Sequence, residues 1–128
     1  MWTEIINFIK DLFTGVLIQN TELKERISNL FSIISTMYFD LSEKVSKQEF
    51  NNSIETLLVI LTENLYNALN NFIPVKKQEY FHNLIKEISN PEKLYYIKHD
   101  NDPINKINEI AWELKSFSEY LIKLKYEH

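Results

Sequence analysis

Residues 21–45, TELKERISNLFSIISTMYFDLSEKV, decide the fold class of this chain. Apolar side chains recur in this stretch at intervals of three and four, the spacing that places them on one face of an α-helix. Asn20 or Thr21 offers the N-terminal cap of that helix. The segment therefore predicts one long amphipathic helix. Its apolar positions are Leu23, Ile27, Leu30, Phe31, Ile34, Tyr38, Leu41 and Val45.

Four further helices are predicted downstream of this one. The turn-forming residues 50–53 end in Ser53, which starts a third helix that extends to Phe72. The three prolines of the chain then mark helix starts, because proline is tolerated in a first helical turn but disfavours helix before it. The predicted segments are 74–89, a short helix at 91–98, and a long last helix that begins at Asp102-Pro103.

The expected architecture is an all-α antiparallel bundle of four to five main helices plus one short helix, in a single domain of residues 1–128. We expect the third helix at the centre of the core, because its run 57–61, LLVIL, is apolar nearly all round. Five aromatic residues lie on or beside the apolar stripes and are expected in the core. They are Tyr38, Phe72, Phe81, Trp112 and Phe117.

The first helix, from Thr3 to about Ile18, is strongly amphipathic, and it supplies six of the ten residues of the candidate interaction surface. The other four are tyrosines that fall off the predicted stripes, since surface tyrosines are typical of protein contacts. The candidates are Trp2, Ile5, Phe8, Ile9, Leu12, Phe13, Tyr66, Tyr80, Tyr96 and Tyr120; Phe39 and Tyr126 also fall off the stripes.

Gly15 is the only glycine of the chain and stands near the end of this first helix. Glycine inside a helix costs about 1 kcal/mol relative to alanine. We therefore expect a bend or an early helix end at Gly15, which would act as a hinge and make residues 1–18 a semi-independent N-terminal segment.

Composition argues against catalysis and cofactor binding. One glycine leaves no phosphate-binding loop, and the absence of cysteine removes thiolate chemistry and sulfur-ligated zinc. Glu79-x-x-His82 has the spacing of a di-iron ligand pair but lacks a second copy. The dipeptide His99-Asp100 has no later aspartate beyond Asp102 to complete a metal set. We expect no catalytic residue, no metal and no cofactor.

The charge pattern limits the partners. With Arg26 as the only arginine, no nucleic-acid binding is expected. Residues 1–74 hold 5 Lys/Arg against 9 Asp/Glu, which favours protein partners with basic surfaces. The expected function is a non-enzymatic, cytoplasmic interaction module that binds a protein partner or itself. The alternatives are membrane-surface association through the first helix and a small acidic inhibitor or regulator.

Two stretches, LKERISNLFSIISTMYFDLSEKVSKQEF (23–50) and FIPVKKQEYFHNLIKEIS (72–89), resemble helical effector-associated adaptor domains of bacterial, especially cyanobacterial, conflict systems. The resemblance lies in the helix pattern and the order of turns. It implies non-enzymatic coupling of a sensor to an effector by helix association, and it assigns no individual functional residue.

Overall fold

The computed structural model describes residues 2–49 and 53–124, and this part of the chain contains six α-helices and no strand. The all-α prediction is confirmed. Most bounds agree with the sequence pattern to within a residue or two. The helices are α1 (Trp2–Thr14), α2 (Thr21–Ser46), α3 (Ser53–Leu69), α4 (Val75–Ser89), α5 (Pro91–Lys98) and α6 (Pro103–Leu124), with a 3-10 turn (Asn70–Phe72) after α3.

Side-chain caps account for two of the helix starts. The Asn20 carboxamide oxygen accepts a hydrogen bond from the Leu23 amide at 3.1 Å and opens α2. Asn90 accepts from the Glu92 amide at 3.0 Å, and Pro91 fills the first position of α5. The predicted turn at 50–52 and Tyr126 lie outside the described residues.

The centre of the core is the antiparallel pair of α2 and α6. Small residues let the two backbones approach: the Ser28 hydroxyl donates to the Ser118 carbonyl at 2.8 Å, and the Ser118 hydroxyl donates to the Ser28 carbonyl at 2.8 Å. Seven residues further along α2, the Ser35 hydroxyl donates to the Ala111 carbonyl at 2.7 Å. We call these four residues the serine seam. Each side of the seam repeats every seven residues, the interval at which a helix returns to the same face.

The prediction that α3 occupies the centre is wrong. α3 packs against α2 on one side and α4 on the other, and it buries a single stripe that includes Leu58, Leu61 and Leu65. Leu57 and Ile60 are exposed. The apolar run of α3 is therefore wider than the surface that its neighbours cover.

Aromatic residues divide between core and surface. Tyr38, Phe81 and Phe117 are buried, as predicted. Phe72 and Trp112 are 42% and 56% exposed, so their assignment to the core is wrong. Phe72 belongs to the 3-10 turn that ends α3, and Trp112 follows Ala111, the residue that fits the close contact with α2.

α1 is part of the same core and lies against α4 and α6. Trp2 is 1% exposed, and its indole N–H donates to the Tyr38 hydroxyl at 2.9 Å. Its ring also meets Phe31 edge to face, with the centroids 5.7 Å apart. At the surface, the Thr3 hydroxyl donates to a Glu113 carboxylate oxygen at 2.7 Å. These contacts connect α1 to α2 and α6.

Candidate interaction surface between α1 and α4

A chain of stacked aromatic rings crosses from α1 to α3 through α4. Phe8 stacks on Phe81, with ring centroids 5.3 Å apart, and Phe81 stacks in turn on Tyr66 at 5.9 Å. Phe81 is fully buried, while Phe8 and Tyr66 are partly buried. Tyr80, next to Phe81 on α4, contacts Phe8 at 5.8 Å and is 52% exposed. The packing of α1 on α4 thus places an aromatic edge at the surface.

Acidic side chains border this edge on the α1 side. Glu4, Asn7 and Asp11 recur at three and four residues, so that they share one face of α1. Together with Phe8 and Tyr80 they line a depression of about 220 Å³, which we call the α1/α4 groove. None of the described residues that line this groove is cationic.

The basic residue of this helix is directed elsewhere. The Lys10 ammonium lies 4.7 Å from the centroid of the Tyr120 ring on α6, which is a cation–π contact. The α1/α4 groove therefore combines exposed aromatic surface with the Asp11 carboxylate, and it suits a ligand that carries positive charge beside an apolar group.

The structure corrects the predicted interaction surface. Five of its six N-terminal members belong to the fold's own core, because the apolar face of α1 packs inward, and they cannot meet a partner or a bilayer in this packing. They are Trp2, Ile5, Ile9, Leu12 and Phe13. Phe8 lies at the edge of this face and is only partly buried.

The four candidate tyrosines do not form one surface. Tyr66 and Tyr80 join the ring chain at the α1/α4 groove. Tyr96 is 64% exposed on α5, in edge-to-face contact with Tyr95. Tyr120 lies on α6 beneath Lys10. Only Phe8, Tyr66 and Tyr80 are therefore brought together.

Gly15 stands directly after the last residue of α1, so the early helix end is confirmed. Its amide donates to the Asp11 carbonyl at 3.1 Å, and its backbone does not have a positive φ. Beyond it, the buried Leu17 donates its amide to the Leu12 carbonyl at 2.7 Å. With anchors on both sides of Gly15, swinging of α1 as a semi-independent segment would require its core contacts to break.

The two histidine motifs take part in ring and helix-end contacts. His82 meets the Tyr66 ring at 5.1 Å, and His99 meets Tyr95 at 4.4 Å. Asp100 accepts from the Lys106 ammonium at 2.8 Å, and this hydrogen bond lowers the pKa of the Asp100 carboxyl. Among the described residues, no group of three or more His, Asp or Glu side chains could hold a metal ion.

Trp112 on α6 is an exposed aromatic residue that the sequence pattern predicts in the core. Trp112 contacts Phe39 edge to face, with centroids 5.2 Å apart, and the Lys115 ammonium lies 5.0 Å from the Trp112 ring. The small residues Ala111 and Ser118, seven positions apart on α6, are the sequence signal for the face that meets α2. Because Ala111 occupies this contact, the adjacent Trp112 lies outside it.

Comparison of this chain with protein-family models, with curated proteins and with solved structures found no significant match.

Over residues 2–49 and 53–124, none of the helices has the length and apolar character needed to cross a membrane.

Proposed function

We propose that this protein is a non-enzymatic interaction module, an adaptor, that binds a segment of another protein in the α1/α4 groove. The observation that carries the proposal is the position of the half-exposed Tyr80 ring beside Phe8 and the Asp11 carboxylate. Tyrosine at a surface depression contributes large contact area with little loss of conformational entropy, and such residues are frequent binding hot spots.

The expected partner segment carries lysine or arginine next to an apolar side chain. Its apolar group would cover Tyr80 and Phe8, while its cation would lie near Asp11. Carboxylates at the rim of an interface raise the association rate and select against acidic partners more than they raise affinity. Binding should therefore weaken as ionic strength increases.

The test uses a fluorescein-labelled synthetic amphipathic helix of leucine and lysine as the probe, with fluorescence anisotropy as the measurement. Asp11→Lys and Tyr80→Ala should each weaken binding about tenfold, which corresponds to about 1.4 kcal/mol. The matched controls are Glu63→Lys on α3 and Tyr96→Ala on α5, both at exposed positions outside the groove. These controls should bind the probe like the wild type.

Two results would contradict the proposal. One is equal affinity of the wild type, Asp11→Lys and Tyr80→Ala for the probe. The other is equal affinity of the wild type for an analogue in which glutamate replaces every lysine, since the α1/α4 groove should reject that peptide.

A further inference from the structure

A pocket between α3 and α5 is a second candidate binding site, and it shares no lining residue with the α1/α4 groove. Its volume is about 530 Å³, within the range of about 300–1,000 Å³ that is usual for small-molecule sites. We call it the α3/α5 pocket. Its lining residues are Glu55 and Thr56 from the first turn of α3, and Pro91, Glu92, Tyr95 and Lys98 from α5.

An ion pair between Lys98 and Glu55 forms the buried base of this pocket. The Lys98 ammonium binds the Oε1 atom of Glu55, and the two side chains are only 10% and 16% exposed, respectively. Each charge stands at the helix end whose dipole favours it, since Glu55 lies in the first turn of α3 and Lys98 in the last turn of α5. The pair therefore joins α3 to α5 beneath the opening of the pocket.

The second carboxylate oxygen of Glu55 lacks a hydrogen bond. This Oε2 atom is buried, and none of the described residues donates to it. Buried polar atoms normally have a partner, because the loss of their hydration is otherwise uncompensated. The last torsion of a glutamate side chain is soft, so the carboxylate can turn toward a donor that enters the pocket. A ligand with an N–H group would supply the missing hydrogen bond.

An aromatic wall stands above this base. The Tyr95 ring is 57% exposed, and Pro91 lines the pocket together with it. The neighbouring His99 ring lies 4.4 Å from the Tyr95 ring, between centroids, and is not part of the lining. A tyrosine ring attracts other rings by stacking and attracts cations over its face. The wall therefore suits a ligand that contains an aromatic ring.

The charge of the lining favours a cationic ligand. Glu55 and Glu92 contribute two carboxylates and Lys98 one ammonium, which leaves a net charge of −1. Lys93 lies next to Glu92 in the sequence but binds the Glu87 carboxylate at 3.2 Å and does not line the pocket. An ammonium group that enters would form charge-assisted hydrogen bonds, which are stronger than neutral ones.

We propose that the α3/α5 pocket binds a small arylalkylamine, a molecule in which a short chain joins an ammonium group to an aromatic ring. The ammonium would donate to Glu55 at the base, while the ring would lie against Tyr95 and Pro91. The proposal is carried by the presence, in one pocket, of a buried carboxylate oxygen without a donor and an exposed tyrosine ring. It does not rest on the function proposed for the α1/α4 groove.

The test uses tryptamine as the probe and a nuclear magnetic resonance titration of the full chain, labelled with ¹⁵N. Tryptamine should cause saturable shifts of the amide signals of α5 and of the first turn of α3. Indole-3-propionate is the matched control ligand, because it carries the same ring with a carboxylate in place of the ammonium. It should cause no such shifts.

Two substitutions at the base should act in opposite directions. Glu55→Gln removes the acceptor charge and should weaken tryptamine binding at least about tenfold. Lys98→Met removes the ammonium that competes for the Glu55 carboxylate, so it should strengthen binding. A merely structural ion pair would not give this difference in sign. Glu63→Gln is the matched control, since Glu63 is exposed on α3 outside the pocket, and it should bind like the wild type.

A further pair of variants tests the aromatic wall. Tyr95→Leu should weaken tryptamine binding, whereas Tyr96→Leu should not, because Tyr96 is exposed on α5 but does not line the pocket. Circular dichroism confirms that each variant is folded. Asp11→Lys and Tyr80→Ala should bind tryptamine like the wild type, which separates this inference from the proposed function.

Four results would overturn the inference. They are the absence of a saturable shift with tryptamine, shifts confined to α1 and α4, equal binding of indole-3-propionate, and equal weakening by Glu55→Gln and Lys98→Met.

Discussion

Replacing Tyr38 with phenylalanine tests whether α1 is locked into the core through the Trp2–Tyr38 hydrogen bond. Both side chains are 1% exposed, and the bond between the indole N–H and the hydroxyl measures 2.9 Å. Phenylalanine keeps the ring but removes the acceptor. The buried indole N–H is then unpaired, which costs about 1–3 kcal/mol of unfolding free energy at neutral pH.

The same substitution should change how stability depends on alkaline pH. Burial raises the pKa of the Tyr38 hydroxyl to about 12, although the N–H donated by Trp2 acts in the opposite direction. The unfolded chain releases this proton near pH 10, where an ordinary tyrosine titrates. Between about pH 10 and pH 12 the unfolded state therefore binds fewer protons than the folded state, and the stability of the wild type falls as pH rises.

At about 1.4 kcal/mol per unit of pKa, the loss of stability due to Tyr38 amounts to about 3 kcal/mol. Phenylalanine cannot titrate, so this loss is absent from Tyr38→Phe, and the other titrating groups affect both proteins alike. The wild type should exceed the variant in stability by about 1–3 kcal/mol at pH 9, and this advantage should disappear by about pH 12.

The assay is urea denaturation followed by far-ultraviolet circular dichroism, at several pH values from about 8 to 12. Tyr96→Phe is the matched control, because the Tyr96 ring is 64% exposed and its replacement should leave the pH dependence unchanged. A stability difference between the wild type and Tyr38→Phe that stays constant over this pH range would refute the reasoning.

Three further predictions concern other positions of the fold and are checked by thermal or urea denaturation. Ser118→Ala removes one buried hydroxyl from the serine seam and should lower the free energy of unfolding by about 1 kcal/mol. Ser118→Leu forces α2 and α6 apart and should lower it further, by about 1–3 kcal/mol or more. Equal effects of the two substitutions would contradict the close contact. Lys24 is 1% exposed, and its ammonium has no hydrogen-bond partner among the described residues. Lys24→Met should therefore stabilise the protein by about 1–3 kcal/mol. A loss of stability in this variant would count against an unpaired ammonium. A Cβ at Gly15 would lie 3.1 Å from the Asp11 carbonyl oxygen. Gly15→Ala should therefore change stability by less than about 1 kcal/mol in either direction. A larger destabilisation would mean that the Asp11 carbonyl cannot shift to accommodate the methyl group.

Helix positions could be predicted from the sequence because their signals are local. Asn20, Asn90 and Pro91 act on backbone groups within a few residues of themselves. The pairing of α2 with α6 could not be predicted in this way. It joins Ser28 to Ser118, and small polar residues add little to a hydrophobic pattern even where they mark the closest contact.

The candidate site could be predicted only in part, for a related reason. Periodicity identifies an apolar stripe but does not tell which of its edges a neighbouring helix will cover. The stripe therefore predicts Trp112 in the core, although Ala111 fills the contact with α2 and Trp112 is exposed. Phe8 and Tyr80 could each be placed near the surface, but their meeting at 5.8 Å depends on the packing of α1 against α4.

The serine seam also has a consequence for the order in which the chain folds. Its two pairs join residues 90 and 76 positions apart in the sequence, so the complete seam cannot form until Ser118 has been synthesised. Until then α2 has no partner for the face that carries Ser28 and Ser35. Contacts over long sequence separations close late, since the loop entropy must be lost first. Biosynthesis of this protein therefore includes an interval in which its longest helix is made but not yet covered.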